Sequence, residues 1–399
     1  MTITRDACVG VVGAGVMGSG IAQVAATYGH RVVLHDTSSE ALARAMDSVR
    51  RNLARSVEKG RIAEGDAATV AKRIETVGGD GSDSSALDAF AECAIVIEAV
   101  IESLEAKQDI FTRLEALFVE PAILGTNTSS LSVTAIAQAC NRPDNVVGVH
   151  FFNPPTVLSL VEIVPGLVTS PETTRTTREL VDAWGKTTVL ASDTPGFIVN
   201  RIARPFYGEA LRIYEEGIAS MATIDWAMRD IGGFRMGPFE LMDFIGNDIN
   251  FAATSSVFAG TFNDPRYKPT ITQQRLVDAG FLGRKTGRGY YDYREGAQQP
   301  EPDRDEELGK RIFGRILAML INEAADAVLF RIASPADVDL AMTKGVNYPK
   351  GLLAWGEELG LQTVLGRLEA LQAEYGEDRY RPSALLRRMV AEGRSFFAD

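Results

Sequence analysis

The stretch Cys8–Asp36 constrains the fold more than any other in the chain. Cys8–Val12 is a short β-rich run that enters Gly13-Ala14-Gly15-Val16-Met17-Gly18. Ser19–Tyr28 continues at helical spacing, Gly29-His30 stops the helix, Arg31–Leu34 forms a second strand, and His35-Asp36 sits at its tip. Strand, glycine turn, helix, strand and acid is the order that seats a dinucleotide. Gly13 permits the tight turn, Gly15 lets the backbone approach a pyrophosphate, and Gly18 lets helix and strand pack closely. The helix N-terminus offers N–H groups and a positive dipole end to the phosphates. Asp36 follows Gly18 by 18 residues, near the ~20 at which a carboxylate binds the ribose hydroxyls. A carboxylate there repels a 2′-phosphate, so the expected cofactor is NAD rather than NADP.

A second stretch carries the chemistry. Ala122–Leu124, Val146–Val149 and Leu160–Val164 read as short buried strands with polar residues at or near their ends: Asn127 and Ser129, His150 and Asn153, and Glu162. Ala94–Val100 is a further buried strand, followed by Glu102 and a helix, Leu104–Phe118, that carries Lys107. Strand and helix alternate, which predicts a parallel sheet covered on both faces. Ligands of such sheets sit beyond the carboxyl ends of the strands, where Glu102, Asn127, Ser129 and His150 fall.

After a helix from Pro171 to about Gly185 and a last strand, Thr187–Ala191, the apolar spacing becomes helical: Ile202–Glu216, Met221–Ile231, Pro238–Ser256 and Ile271–Ala279. The first domain therefore spans 1–190 and a helical domain 191–294, which closes on Gly283-Arg-Lys285-Thr-Gly287-Arg-Gly289. Asn200 stands at the junction, as a helix cap or as a residue of the cleft between the domains. A repeat follows at a constant offset of 114, since Glu209, Asp225 and Met228 return as Glu323, Asp339 and Met342. The segment 308–399 is thus a second copy of the helical unit, reached through the charged linker near 295–307. It lacks the polar residues of the first: Gly314 stands where Asn200 would recur. The fold class is an α/β Rossmann-type dinucleotide-binding domain followed by two related all-α domains.

A net charge of −12 over 399 residues argues against nucleic acid as a partner. Ala41–Lys72, helical and rich in Arg and Lys, runs against that background: it is a solvated face, or it holds the phosphates of a nucleotide-tailed substrate. No basic leader and no apolar run of membrane length is evident, so no membrane association is expected. Cys8, Cys93 and Cys140 show neither metal nor redox spacing. No metal site is expected, and a reducing cytoplasm is the simplest location.

Three histidines limit the choice of a proton acceptor. His30 lies in a helix-to-strand turn and His35 beside the ribose position. His150 alone follows a strand near the presumed cleft, and imidazole titrates in the range needed for reversible proton transfer. Glu162, 12 residues on, would hold one ring nitrogen and stabilise the imidazolium. Ser129 and Asn200 would bond the reacting oxygens.

These motifs together resemble the L-3-hydroxyacyl-CoA dehydrogenase family, including bacterial 3-hydroxybutyryl-CoA dehydrogenases. The likeness rests on Gly-x-Gly-x-Met-Gly, Asn-Thr-Ser-Ser-Leu-Ser, His-Phe-Phe-Asn-Pro, Val-Glu-Ile-Val, Pro-Gly-Phe-Ile-Val-Asn-Arg and Gly-Arg-Lys-Thr-Gly-Arg-Gly, in family order over residues 7 to 293. The resemblance implies NAD-dependent, reversible oxidation of an L-3-hydroxyacyl-CoA, with 3-hydroxybutyryl-CoA the favoured substrate. It implies His150 as base, Glu162 as its partner, and Ser129 and Asn200 as substrate contacts. It places Asp36, Glu102, Lys107, Asn127 and Lys285 around NAD, Asn153 near the acyl portion and Lys59 at the CoA tail. Asn52 replaces a family serine at the CoA contact. The second helical copy resembles multifunctional β-oxidation enzymes and longer 3-hydroxyadipyl-CoA dehydrogenases, so a functionalised acyl-CoA is an alternative substrate and a non-catalytic NAD-binding relative an alternative class. The copy at 308–399 would take a partner's place within one chain, giving a monomer with an internal pseudo-dimer, with a homodimer as the alternative.

Overall fold

Five consecutive buried residues, Cys8–Val12, form β1, and an uninterrupted apolar run of that kind belongs inside a sheet covered on both faces. The computed structural model describes residues 3–78 and 84–397. It contains two compact units, Met1–Thr194 and Pro195–Asp399.

The first unit runs β1, α1 (Val16–Tyr28), β2 (Arg31–Asp36), α2 (Ser39–Glu58), α3 (Glu64–Lys72), β3 (Ile74–Gly78), β4 (Cys93–Glu98), α4 (Leu104–Glu115), β5 (Ile123–Thr126), α5 (Val133–Ala137), β6 (Val146–Phe151), β7 (Leu160–Pro165), α6 (Pro171–Ala183) and β8 (Thr187–Leu190). The sheet order is β3-β2-β1-β4-β5-β6-β7-β8. The order reverses direction between β1 and β4, the switch point at which such sheets open a crevice for ligand. Strands from β1 to β6 pair in parallel, as the alternation predicts, but β6 and β7 are antiparallel. The segment between them is too short for a crossover, which takes a dozen residues or more. Reversal brings the start of β7 to the same edge as the end of β6, and sets His150 opposite Glu162 in register.

Two expected helices divide. The charged helix over 41–72 breaks at Gly60 (φ +65°) into α2 and α3. Strand β3 was not expected at all: its pattern is mostly exposed, as befits the sheet edge.

The second unit runs α7 (Val199–Ile202), α8 (Arg204–Glu215), α9 (Met221–Trp226), α10 (Pro238–Ile245), α11 (Asn247–Gly260), α12 (Ile271–Asp278), α13 (Glu306–Leu329), α14 (Pro335–Gly345), α15 (Leu352–Leu359), α16 (Leu361–Tyr375) and α17 (Ala384–Glu392). The helix expected over 238–256 is interrupted by Gly246 (φ +109°), between α10 and α11. The repeat is visible in detail. Asp225 accepts hydrogen bonds from Phe239 N and Glu240 N, both at 2.9 Å, at the start of α10. Asp339 does the same for Leu353 N (2.8 Å) and Ala354 N (3.0 Å) at the start of α15. Glycine precedes each helix because a Cβ at Gly237 or Gly351 would lie 2.4 or 2.3 Å from that aspartate.

The two copies also grip each other reciprocally. Arg201 bonds Glu323 (2.9 Å), and Arg315, its counterpart 114 residues on, bonds Glu209 (3.0 Å). Tyr267 donates to Glu323 while Tyr380 donates to Glu209. Exchanged, self-complementary pairs are the pattern of a two-fold interface, here built inside one chain.

Candidate active site

The glycine turn is held by geometry that side chains would destroy. Gly13 has φ +99°, and a Cβ there would lie 2.5 Å from Ala99 O; at Gly18 it would lie 1.8 Å from Gly13 O. Gly15 caps α1 without a side-chain bond, and a Cβ on it would meet nothing within 4 Å. Uncapped N–H groups under an open surface fit a pyrophosphate. Val16 is exposed and Met17 half-buried beside it. Asp36 Oδ2 accepts from Ala14 N (2.8 Å) and Oδ1 from Ser38 N (2.9 Å). The acid thus fixes the turn and stands beside it, where a ribose attached to that pyrophosphate would lie. These residues fit NAD.

Beyond β4 and β5, Glu102 organises a loop. Its Oε1 accepts from Thr128 Oγ1 (2.7 Å), Ser129 N (2.9 Å), Ser130 N (3.1 Å) and Ser130 Oγ (2.9 Å), with Ser129 Oγ at 3.4 Å. Its Oε2 lies 3.3 Å from Lys107 Nζ. Burial pushes the Glu102 carboxyl up, but Lys107 and the bonds from Thr128, Ser129 and Ser130 outweigh it and hold the group below the usual range. Lys107 is buried, and its ammonium also meets the fully buried Glu98 at 2.6 Å. Glu98 accepts from Thr126 Oγ1 (2.8 Å) and Val100 N (2.7 Å) as well. Sequence position alone does not give Glu98 a role in the site, although a carboxylate ending an apolar strand is a signal that it needs a cation.

Asn127 ties this loop to β6: its Oδ1 accepts from Phe151 N at 2.9 Å. One residue back, His150 Nδ1 lies 2.6 Å from Glu162 Oε2, with both side chains buried. An Nδ1–H donated to a carboxylate fixes the tautomer, so proton exchange falls to Nε2. The Phe152 ring lies 4.5 Å from the imidazole, centre to centre. His30 and His35 are bound to the backbone oxygens of Ala7 and Val77. Asn153 is exposed after β6.

A cavity of about 650 Å³ opens between α1, α2 and the ends of the 154–159 segment and α6. Asn52, Arg55, Lys59, Arg61 and Lys186 line it. The remaining two residues of interest belong to the second unit. Asn200 is half-buried within the short α7, and Lys285 is exposed and paired with Asp248 Oδ1 at 2.6 Å. Among the described residues no helix is long and apolar enough to cross a membrane, and no group of His, Cys, Asp or Glu could hold a metal ion.

Comparison with known proteins agrees with this geometry. The profile for the 3-hydroxyacyl-CoA dehydrogenase NAD binding domain matches residues 8–194. The profile for the C-terminal domain of the same family matches twice, at 196–293 and 312–395. A 3-hydroxyadipyl-CoA dehydrogenase of Escherichia coli is 39% identical, over 95% of this chain and 96% of its own length. A probable 3-hydroxybutyryl-CoA dehydrogenase of Deinococcus radiodurans is 40% identical over 71% of this chain and 99% of its own. The crystal structure of 3-hydroxybutyryl-CoA dehydrogenase from Escherichia coli superposes with a TM-score of 0.89 at 38% identity, covering 97% of this chain and 98% of that one. The chain belongs to the 3-hydroxyacyl-CoA dehydrogenase family, and its dinucleotide is NAD.

Proposed function

We propose that the protein catalyses the NAD-dependent, reversible oxidation of L-3-hydroxyacyl-CoA to 3-ketoacyl-CoA, with short acyl chains such as 3-hydroxybutyryl favoured. The observation that carries the mechanism is the 2.6 Å contact of His150 with Glu162 across adjacent strands. In this reading His150 Nε2 takes the proton of the 3-hydroxyl, and Glu162 stabilises the imidazolium that results. NAD, when bound, supplies the hydride acceptor. Ser129, its backbone fixed by Glu102, and Asn200 bond the reacting oxygens and set their position. Gly13, Gly15, Val16, Met17, Gly18, Asp36, Asn127 and Lys285 serve the cofactor, and Lys107 acts there through the charge of Glu102. Asn153 lies toward the acyl chain. Lys59 and Asn52, on the cationic cavity, serve the CoA tail.

A second reading of the substrate has its own support. The 3-hydroxyadipyl-CoA dehydrogenase relative matches along almost the whole chain, second helical copy included. An NADH-absorbance assay over 3-ketoacyl-CoAs of different length and terminal charge decides between them. Highest kcat/KM for acetoacetyl-CoA supports the short-chain reading, highest for a carboxyl-terminated chain supports the second, and no turnover of any thioester sinks both.

The reciprocal pairs Arg201–Glu323 and Arg315–Glu209 support a monomer in which the second copy takes a partner's place. Light scattering that gives twice the chain mass of 43.2 kDa would favour the homodimer instead. Three buried, unbridged cysteines suit a reducing cytoplasm.

A further inference from the structure

The turn that follows His150 is held down by a residue far along the chain. Lys186, between α6 and β8, donates to Pro155 O and to Leu158 O (2.9 Å). On its other side the same turn rests on the cofactor helix, where a Cβ at Gly20 would lie 2.9 Å from the Pro155 ring. The turn therefore sits between α1 and one ammonium group, four residues beyond the end of β6. That ammonium also lines the 650 Å³ cavity, with Arg55, Lys59 and Arg61 on the α2 side and Tyr28 at the end of α1. Among the described residues no Asp or Glu lines it. The acid nearest to Lys186 along the chain, Asp182, accepts from Thr188 N instead. Four cations without a lining carboxylate, in a chain of net charge −12, make a strong local seat for an anion.

We propose that Lys186 is a positioning residue: it clamps the 155–158 turn and gives the cavity a fixed cation, so that seating the anionic CoA tail there tightens the turn behind His150 and Asn153. The inference rests on the reading of this cavity as the seat of the CoA nucleotide tail, and concerns what that seat does for turnover. The reason is the donor count. An ammonium has three N–H groups and a neutral amine two; the two carbonyls use two, and an anion in the cavity takes the third. Burial pushes Lys186 down to about 8, so the charged form that makes all three bonds is the one an anion favours. Binding energy from the tail, remote from the reacting carbon, is then realised partly in kcat.

The test compares acetoacetyl-CoA with acetoacetyl-pantetheine, which lacks the nucleotide, in NADH-coupled turnover by the wild-type enzyme and by Lys186→Met and Lys186→Arg. In the wild type the truncated thioester should lose roughly tenfold in kcat besides its higher KM. Lys186→Met should bring kcat for the CoA thioester down to about the truncated level, and Lys186→Arg should recover KM but not kcat. NADH affinity, read by fluorescence, should stay within about twofold of wild type. Adenosine 3′,5′-bisphosphate, added to wild type with the truncated thioester, should raise kcat about threefold. That arm needs no variant to fold. A Lys186→Met enzyme that raises KM alone, or a bisphosphate that does not activate, overturns the proposal and leaves the tail seat standing. Equal kcat and KM for the two thioesters in the wild type overturns the tail seat itself.

Discussion

Glu162→Gln is the sharpest probe of the proposed chemistry, because it keeps the shape of a side chain that is fully buried and 2.6 Å from His150 Nδ1. What it removes is charge. When His150 takes a proton, imidazolium and carboxylate lie with charge centres roughly 4 Å apart, worth about 4 kcal/mol at an effective dielectric constant of about 20. If that stabilisation is half developed in the transition state, its loss costs about 2 kcal/mol, and if fully developed about 4. At about 1.4 kcal/mol per decade the expected fall in kcat is between about 30-fold and 1,000-fold. NADH affinity should not change, since the cofactor turn lies on other strands. KM for acetoacetyl-CoA should stay within about threefold, because the interaction strengthens only as charge develops. Steady-state kinetics with NADH absorbance, together with circular dichroism to establish that the variant is folded, measures all three. A folded variant with less than a tenfold loss of kcat, or one in which KM alone rises, would refute the electrostatic role of Glu162.

Two further outcomes follow from the same structure. Asp36→Ser should weaken NADH binding by about 10- to 100-fold, the worth of a charged hydrogen bond, and narrow the preference over NADPH; unchanged NADH affinity by fluorescence titration would move the ribose contact elsewhere. Burial pushes the Asp225 carboxyl up to about 7, against bonds from Tyr291 and the N–H groups of Phe239 and Glu240. The folded chain then holds a proton that the unfolded chain has lost above about 4, so this group makes stability fall as pH rises from about 4 to about 7, by up to about 4 kcal/mol. Asp225→Asn should flatten that slope in urea titrations taken at pH 5 and pH 8; an unaltered slope rejects the assignment.

The sequence is most legible where backbone geometry leaves one residue type possible. Gly13 and Gly18 are such positions, since a Cβ would enter backbone oxygen at both, and a chain carrying them after an apolar run reads as a dinucleotide turn without any structure. His150 and Glu162 were legible as partners, but the antiparallel register that sets them opposite each other was not, because the alternation of strand and helix pointed to parallel pairing and their contact depends on β7 running against β6. Gly60 and Gly246 were visible breaks inside helical spacing, and both take positive φ; apolar periodicity on either side concealed them. The role of Lys186 was not legible at all. It acts on two carbonyl oxygens about 30 residues earlier, and no local pattern encodes which oxygens a lysine will find. Cys8 and Cys93 are the same case: they start neighbouring strands with sulfurs 2.9 Å apart, at a spacing of 85 residues that carries no motif.

What the second helical copy kept and lost follows from what each residue does. Asp339 and Gly351 persist because the start of α15 needs an acceptor and room for it, the same need that Asp225 and Gly237 meet in the first copy. Arg315, Glu323 and Tyr380 persist because each belongs to a pair that spans both copies, so the loss of one half removes a bond from a buried charged group in the other. Gly314, where Asn200 would recur, has no such partner. A Cβ there would lie 3.1 Å from the guanidinium of Arg367, so that side chain has taken the space. What the two copies share therefore lies at the interface and the helix caps, and not at the position that Asn200 occupies in the first. Substitutions at Glu209 and Glu323 should then destabilise the second unit to a similar degree, although only the first copy carries polar residues assigned to the reaction.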